Sequence, residues 1–458
     1  MAEKYISYYD KMTRQPIPSL LVQLSIPTVI SMMVTNVYNM ADTAFVGQLG
    51  TSASGAVGVV FGYMSIIQAV GFMFGQGSGS MISRSLGQKN QKEASIVCST
   101  AIFYCLLFGL VISIGSFFWM DELVMLLGST ETIAPYAINY TSYIMLAAPV
   151  MAASFSMNNI LRYEGKAMLG MIGMMTGAVL NIALDPILIF GFGMGISGAG
   201  LATCLSQYIS FGILISMFLR GKTQCKLAFS NIDFRFRKLS DIATTGFPSM
   251  LRQILNSLAT VMLNQSAAPF GDAAVAAMSI VGRVTFFVFA ISLGIGQGFQ
   301  PISGFNYGAK QYKRLRKAFW TTVVMASATM IVLSLIVIAG SGAVIQIFRD
   351  DPQVIEIGTR ALRLQLWAEM VLPGCMVVEM LHQSTGRKGG ATLLSSMRGG
   401  LLFIPAIVIL SRLRGLAGIQ EAQPLAYLLA VIPAVIMGIR YFKSIPNEDI
   451  PPEIEAKS

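Results

Sequence analysis

The stretch "NIALDPILIFG", Asn181–Gly191, sets an aspartate and then a proline inside a run that is otherwise soluble in lipid. A carboxylate placed there has little water around it, so its presence asks for a reason. The surrounding sequence fixes the class of fold. Of the 458 residues, 54% are hydrophobic and only 12% are charged, roughly half the charged share of an ordinary globular domain. Apolar segments of about 20 residues or more, each able to cross a hydrocarbon layer roughly 30 Å thick, recur along nearly the whole chain. Twelve are read, near 18–46, 53–80, 94–118, 134–161, 167–190, 197–219, 241–266, 272–301, 316–340, 356–384, 392–412 and 422–442. Backbone groups in lipid must be satisfied within their own segment, so an all-α integral membrane protein is predicted.

The net charge of +10 is distributed by topology rather than by affinity for nucleic acid. Basic residues crowd alternate loops: Arg84, Lys89 and Lys92; Arg162 and Lys166; Arg220, Lys222, Lys226, Arg235, Arg237 and Lys238; Lys310, Lys313, Arg314, Arg316 and Lys317; Arg387, Lys388 and Arg398. The intervening loops hold mainly acids, among them Asp121, Glu122, Asp272, Asp350 and Asp351. The positive-inside rule then puts the basic loops and both termini in the cytoplasm, in a multi-pass protein of the cytoplasmic (inner) membrane. The polar amino terminus lacks the apolar core of a cleavable signal. Five cysteines without CxxC or histidine pairing leave neither a disulfide framework nor a zinc site to expect.

An offset of 221 positions superimposes the two halves. Pro27 meets Pro248 and Gly50 meets Gly271; the "GQG" at Gly75–Gly77 meets "GQG" at Gly296–Gly298; Gly87, Lys89 and Lys92 meet Gly308, Lys310 and Lys313. The chain is read as six helices twice, a leading lobe over 1–222 and a second over 241–458, joined by a basic cytoplasmic linker at 223–240. Six is even, so the repeats are parallel, and a site within or between such lobes is expected near mid-membrane.

Polar residues inside these spans fall on faces. At 100° per residue Thr35, Asn36, Asn39, Asp42 and Thr43 share an arc of about 120°, and Arg252, Gln253, Asn256, Ser257, Thr260 and Asn264 share about 140° in the repeat partner. Thr203, Ser206, Gln207 and Ser210 form a third face. Single hydroxyls and amides often just tie helices together, but three whole faces point to a central aqueous cavity. Asn36, Asn39, Gln207, Gln253 and Asn256 are its candidate substrate contacts. Depth adds a second constraint. Asp42 and Asp185 each come about 18 or more residues, roughly 27 Å, after their spans enter from the cytoplasm. Tyr140 and Thr203 lie near the starts of inward-running spans, at a similar level. Asn181 is one turn from Asp185 on the same face. These five are predicted to meet in the leading lobe.

Desolvation disfavours the charged form of a carboxyl group, and a second carboxylate nearby adds to the effect. Such a pair can take up a proton or a sodium ion on one side and release it on the other, which couples a gradient to movement. Pro186 frees the carbonyl of Ile182 beside the cluster, and Pro27 is a matching candidate for a loosened point in the first span. The second half lacks equivalent acids. It carries Glu369 and Glu379, with Arg252 and Arg283 expected to be buried and to neutralise them in part. His382, the one histidine, is read as incidental. "GMGISG", Gly193–Gly198, matches a dinucleotide-binding pattern, but no strand precedes it, and it is read as a tight turn.

At these residues the chain resembles a known family. "SIPTVISMMVTNVYNMADTAFVGQLG", "GQGSGSMISRSLGQKN", "NIALDPILIFGFGMGISGAGLAT" and "GIGQGFQPISGFNYGAKQYKR" resemble the multidrug and toxic compound extrusion (MATE) family, with Asn-x-x-x-Asp-Pro pointing to its DinF-like and MepA-like prokaryotic branch. The resemblance implies a V-shaped fold of twelve helices in two six-helix bundles. It implies export of cationic or amphipathic organic compounds by alternating access, in exchange for protons or sodium ions. It places the cation site, including sodium where sodium is the coupling ion, on Asp42, Asn181, Asp185 and Thr203, with Tyr140 alongside and Asn158 in substrate contact. The NorM-like branch carries an acid in the seventh span where this chain reads "PSMLRQILNS". The resemblance implies a transporter without cofactor, acting as a monomer on small organic molecules amid membrane lipid. Two alternatives are a flippase for lipid-linked saccharides and an intramembrane enzyme. The first would favour a more cationic cavity, and the second lacks a paired nucleophile and base.

Overall fold

The computed structural model describes residues 2–450, and within them all regular structure is helical. The first half comprises α1 (Ala2–Arg14), α2 (Ile17–Gly47), α3 (Thr51–Gly87), α4 (Gln91–Phe118), α5 (Met120–Leu126), α6 (Ala134–Tyr163), α7 (Ala167–Pro186) and α8 (Ile196–Leu219). The second comprises α9 (Phe236–Ala267), α10 (Asp272–Gly308), α11 (Tyr312–Ala339), α12 (Ser341–Phe348), α13 (Pro352–Glu369), α14 (Leu372–Ser384), α15 (Lys388–Ser396), α16 (Phe403–Arg414) and α17 (Leu416–Ser444).

Ten helical stretches are long and apolar enough to cross a membrane, and α13 with α14 supplies an eleventh, bent by 49°. The remaining expected span, α9, is 32 residues long, about 48 Å at 1.5 Å per residue. It falls short in hydropathy alone, because Arg252, Gln253, Asn256 and Asn264 interrupt its apolar residues. The expected span at 392–412 is continuous from Lys388 to Arg414 through a π-helical turn, Met397–Leu401. Arg398 therefore lies inside a span rather than in a basic loop, which corrects the loop assignment. Arg283, expected to be buried, is exposed.

The backbone repeats as faithfully as the sequence. Left-handed residues recur at Gly50 and Gly271, Lys89 and Lys310, and Gly165 and Gly386, each pair at the same offset of 221. The lysines close matching helix ends: the amide of Asn90 donates to the Ser85 carbonyl, and that of Gln311 to the Asn306 carbonyl. Gly193 and Gly195 are left-handed in the turn before α8, which disposes of the nucleotide-loop pattern.

By compactness the chain divides into one unit of Ile30–Met250 and another of Leu251 onward together with the chain up to Val29. The divisions fall inside α2 and α9, two and three residues after Pro27 and Pro248, so each unit includes the leading half of a helix whose remainder belongs to the other. In the first, a Cβ on Gly246 of α9 would meet the Met73 carbonyl oxygen of α3 at 1.7 Å, and one on Gly77 would meet the Ile242 carbonyl oxygen at 2.2 Å. The Ser249 hydroxyl donates to Gln76 beside this crossing. In the second, Gly294 and Gly298 of α10 abut Val29 and Ser25 of α2 in the same manner. The repeated "GQG" motifs thus supply small residues where two helix backbones cross. The core of the second unit is built from Leu263, Met278, Val281, Met330, Leu362 and Leu366 with their neighbours.

Candidate functional site

The five residues predicted to meet do so inside the unit Ile30–Met250. Asp42 comes from α2, Tyr140 from α6, Asn181 and Asp185 from α7, and Thr203 from α8; all are buried. Small residues allow the approach. A Cβ on Gly177 of α7 would meet Ser210 of α8 at 2.9 Å, and one on Gly200 would meet the Tyr140 carbonyl at 3.1 Å. α8 is thereby drawn against both α7 and α6, which brings Thr203 between Tyr140 and Asn181.

The hydrogen bonds run through the cluster in one chain. The Tyr140 hydroxyl donates to Asp42 Oδ2 at 2.9 Å and lies 3.4 Å from Thr203 Oγ1. The Asn181 amide donates to Thr203 Oγ1 at 3.1 Å and to Asp185 Oδ1 at 3.4 Å. The two carboxylates are within electrostatic reach of each other. Among the described residues neither is met by a lysine or arginine.

What this chain leaves over is informative. Asp42 Oδ1, Asn181 Oδ1, Asp185 Oδ2, Asn39 Oδ1 and Gln207 Oε1 are buried oxygens with no hydrogen-bond donor. Buried polar groups are nearly always satisfied, and an exception calls for an ion, a water or a proton. Every one of these atoms is an acceptor, so the missing partner is positively charged or donates hydrogen bonds. Oxygen ligands of this kind suit hard cations, and a protonated carboxyl satisfies the same atoms by donating. The residues present therefore fit a sodium ion or a proton equally.

A cavity opens beside the cluster, lined by Thr35, Tyr38, Ala178, Asn181, Thr203, Ser206 and Gln207. Its wall mixes apolar and polar groups, and it has room for about one water molecule. Tyr38 was missed in the sequence. It is buried, one turn before Asp42, and within electrostatic reach of both carboxylates. The i, i+4 spacing from Asp42 was the available signal.

The other candidates scatter more widely. Asn36 turns its amide back to the Met32 carbonyl of its own helix. Asn158 lies against Gly170 at the α6–α7 contact. Gln253 and Asn256 belong to the other unit, Gln253 half-buried and Asn256 exposed. Pro27 sits in α2 without interrupting it, whereas Pro186 ends α7 and is followed by a π-helical turn, Ile187–Gly191. In the second unit Arg252 pairs with Glu379. Glu369 accepts from Gln365 at 3.2 Å and lies within electrostatic reach of Arg398. His382 faces the Val378 carbonyl of its own helix and packs on Tyr441.

Comparison with known proteins finds the doubled sequence as well. The family model described as MatE matches twice, over residues 27–187 and 248–408, two blocks separated by the repeat offset. The multidrug export protein MepA of Staphylococcus aureus is 28% identical over 95% of this chain and 96% of its own length. A MATE crystal structure in complex with MaL6 superposes with a TM-score of 0.89 at 26% identity, covering 95% of this chain and 98% of that one. An outward-facing multidrug resistance MATE transporter of the MOP superfamily gives 0.89 at 25% identity, with the same coverage.

Proposed function

The chain belongs to the MatE family, and from that premise we propose that it exports organic compounds in exchange for protons or sodium ions through Asp42 and Asp185. It is a transporter and not an enzyme. The observation that carries the coupling is the set of orphaned acceptors. Two buried carboxylates, an amide and a hydroxyl share one cluster, and no basic side chain of the described residues answers them. A group charged in one step and neutral in the next changes what the cavity beside it can hold. With the carboxylates ionised the cavity attracts a cationic compound. Once they take up a proton or sodium ion from outside, that attraction is lost and the compound leaves.

Tyr140 and Asn181 hold the carboxylates in register, and Thr203 bridges the two. Asp42, Asn181, Asp185 and Thr203 are the residues that would hold a sodium ion. Tyr38 and Gln207 line the narrow space beside the carboxylates, which would have to widen for an organic cation to lie against their aromatic and amide surface. Proline next to Asp185, and again in the first span at Pro27, gives each helix a point where a change of charge can alter its course.

Proteoliposomes loaded with a fluorescent organic cation test the reading. A pH gradient and a sodium gradient are imposed separately, and at least one is expected to drive export. Asp42→Asn and Asp185→Asn should reduce export to that of protein-free vesicles while leaving the protein folded by thermal unfolding. Full gradient-driven export in both variants would exclude the two carboxylates as the coupling groups.

A further inference from the structure

The linker between α8 and α9 is splinted to the first unit along its backbone. The Glu164 carboxylate accepts from the amides of Gln224 and Cys225 at 2.8 and 3.0 Å. On α4, Ser95 accepts from the Lys226 amide, Ser99 from that of Ala228, and Thr100 from that of Asp233. A segment fixed by so many bonds has its side-chain directions fixed as well. Yet Phe229, Phe234 and Phe236 stand 75%, 58% and 79% exposed. Two of them close on Phe103 of α4, with ring centroids 6.4 and 5.6 Å away.

This aromatic cluster continues into an apolar surface. Toward its C-terminus α4 presents Leu107, Phe108, Leu110, Val111 and Ile114 outward, the pattern of a lipid-facing helix. Around the rings Arg220, Lys222, Lys226, Arg235 and Arg237 are exposed, and Asp233 is the one acid in the stretch 220–238. Topology accounts for the basic charge. It does not account for Phe229 and Phe234, exposed along a bonded backbone, or for Phe236, exposed at the start of α9.

We infer that the linker is a membrane-surface anchor that inserts Phe229, Phe234 and Phe236 at the interface and binds anionic phospholipid headgroups through the surrounding arginines and lysines. Aromatic rings favour the headgroup level of a bilayer, and basic clusters are drawn to anionic lipid. Durable surface binding takes two such signals together. Charge complementarity and continuity with the lipid-facing side of α4 commit the surface to the bilayer.

The full chain in lipid nanodiscs provides the test. An environment-sensitive fluorophore is placed on Ser230→Cys, with Cys375→Ser removing the one cysteine that is not buried. Emission is expected to shift to the blue in discs containing phosphatidylglycerol relative to pure phosphatidylcholine. Changing Arg220, Lys222, Lys226, Arg235 and Arg237 together to Gln should abolish the difference between lipids, and each single change should weaken it in part. Arg235→Lys with Arg237→Lys should keep it, which separates lost charge from lost folding. Phe229→Ser, Phe234→Ser and Phe236→Ser combined should lower the shift in both lipids. Equal emission in the two lipids, a difference that survives removal of the five charges, or its reproduction by glycerol phosphate added to phosphatidylcholine discs would overturn the inference.

Discussion

In the unit Ile30–Met250 the buried acids Asp42 and Asp185 meet a phenol and an amide; in the other unit Glu379 meets Arg252, and Glu369 lies within reach of Arg398. The two halves otherwise share their turns, down to a left-handed lysine at Lys89 and at Lys310. The same backbone plan thus carries one lobe whose two acids share a cluster without a basic partner, and one in which Glu379 is paired with Arg252 while Glu369 keeps one buried oxygen without a hydrogen-bond partner. Removing one member of the Arg252–Glu379 pair strands a buried charge, which is costly. An unanswered acid is free to exchange one counter-charge for another. Fold is common to both lobes, and the proposed coupling rests on the side chains by which they differ.

The sharpest way to break this contrast is to neutralise each set. Export is expected to vanish with Asp42→Asn or Asp185→Asn, and to survive in the pair Arg252→Met with Glu379→Met; transport assays on both would reverse the assignment if the losses fell the other way. Arg252→Ala alone should be severe for stability, about 3–5 kcal/mol, since it strands a buried carboxylate. Adding Glu379→Leu should recover much of that in thermal unfolding. Gly246→Ala tests the exchanged helix halves. A methyl group 1.7 Å from the Met73 carbonyl oxygen forces the backbones apart, and a loss of about 3 kcal/mol is expected.

Smaller effects sharpen the picture at the linker between α8 and α9. Burial pushes the Glu164 carboxyl above the ordinary value of 4.5, with the bonds from Gln224 and Cys225 pulling the other way. An acid raised on folding binds more protons folded than unfolded. Its contribution is therefore greatest below pH 4.5 and declines as pH rises from there through the raised value. Thermal unfolding of the full chain, compared with Glu164→Gln, should show this contribution shrinking as pH rises through that range, while hydrogen exchange at the Gln224 and Cys225 amides reads the protection that the accepting carboxylate gives them. Glu164→Ala should remove most of the protection, at about 1–3 kcal/mol for the stranded amides. Lys89→Gly and Lys310→Gly should each stabilise by roughly 0.5 kcal/mol, since glycine adopts the left-handed conformation without a Cβ penalty. Equal gains at both would confirm that the repeats match in backbone energetics as well as shape.

Much of the cluster was readable before any fold was known. Asn181 and Asp185 are four apart on one helix, and depth along each span placed Asp42, Tyr140 and Thr203 at their level. Tyr38 escaped because a tyrosine in an apolar run carries no polar pattern of its own, although it is buried within electrostatic reach of both carboxylates. Arg398 was grouped with the basic loop although the predicted span 392–412 already contained it, because its charge matches the neighbouring Arg387 and Lys388. Arg283 misled for a different reason: a charged residue within an apolar segment reads as buried, whereas its side chain is exposed.

The sequence by itself determined the lipid-soluble helices, the doubled plan and the turns, because hydropathy, helical hydrogen bonding and left-handed residues act over a few positions. Only the tertiary structure decided which acid meets which partner and where α2 and α9 change units. Tyr140 reaches Asp42 across 98 positions, and Arg252 reaches Glu379 across 127. No local term encodes such a meeting, since it depends on how tightly the glycines at the crossings let whole helices approach.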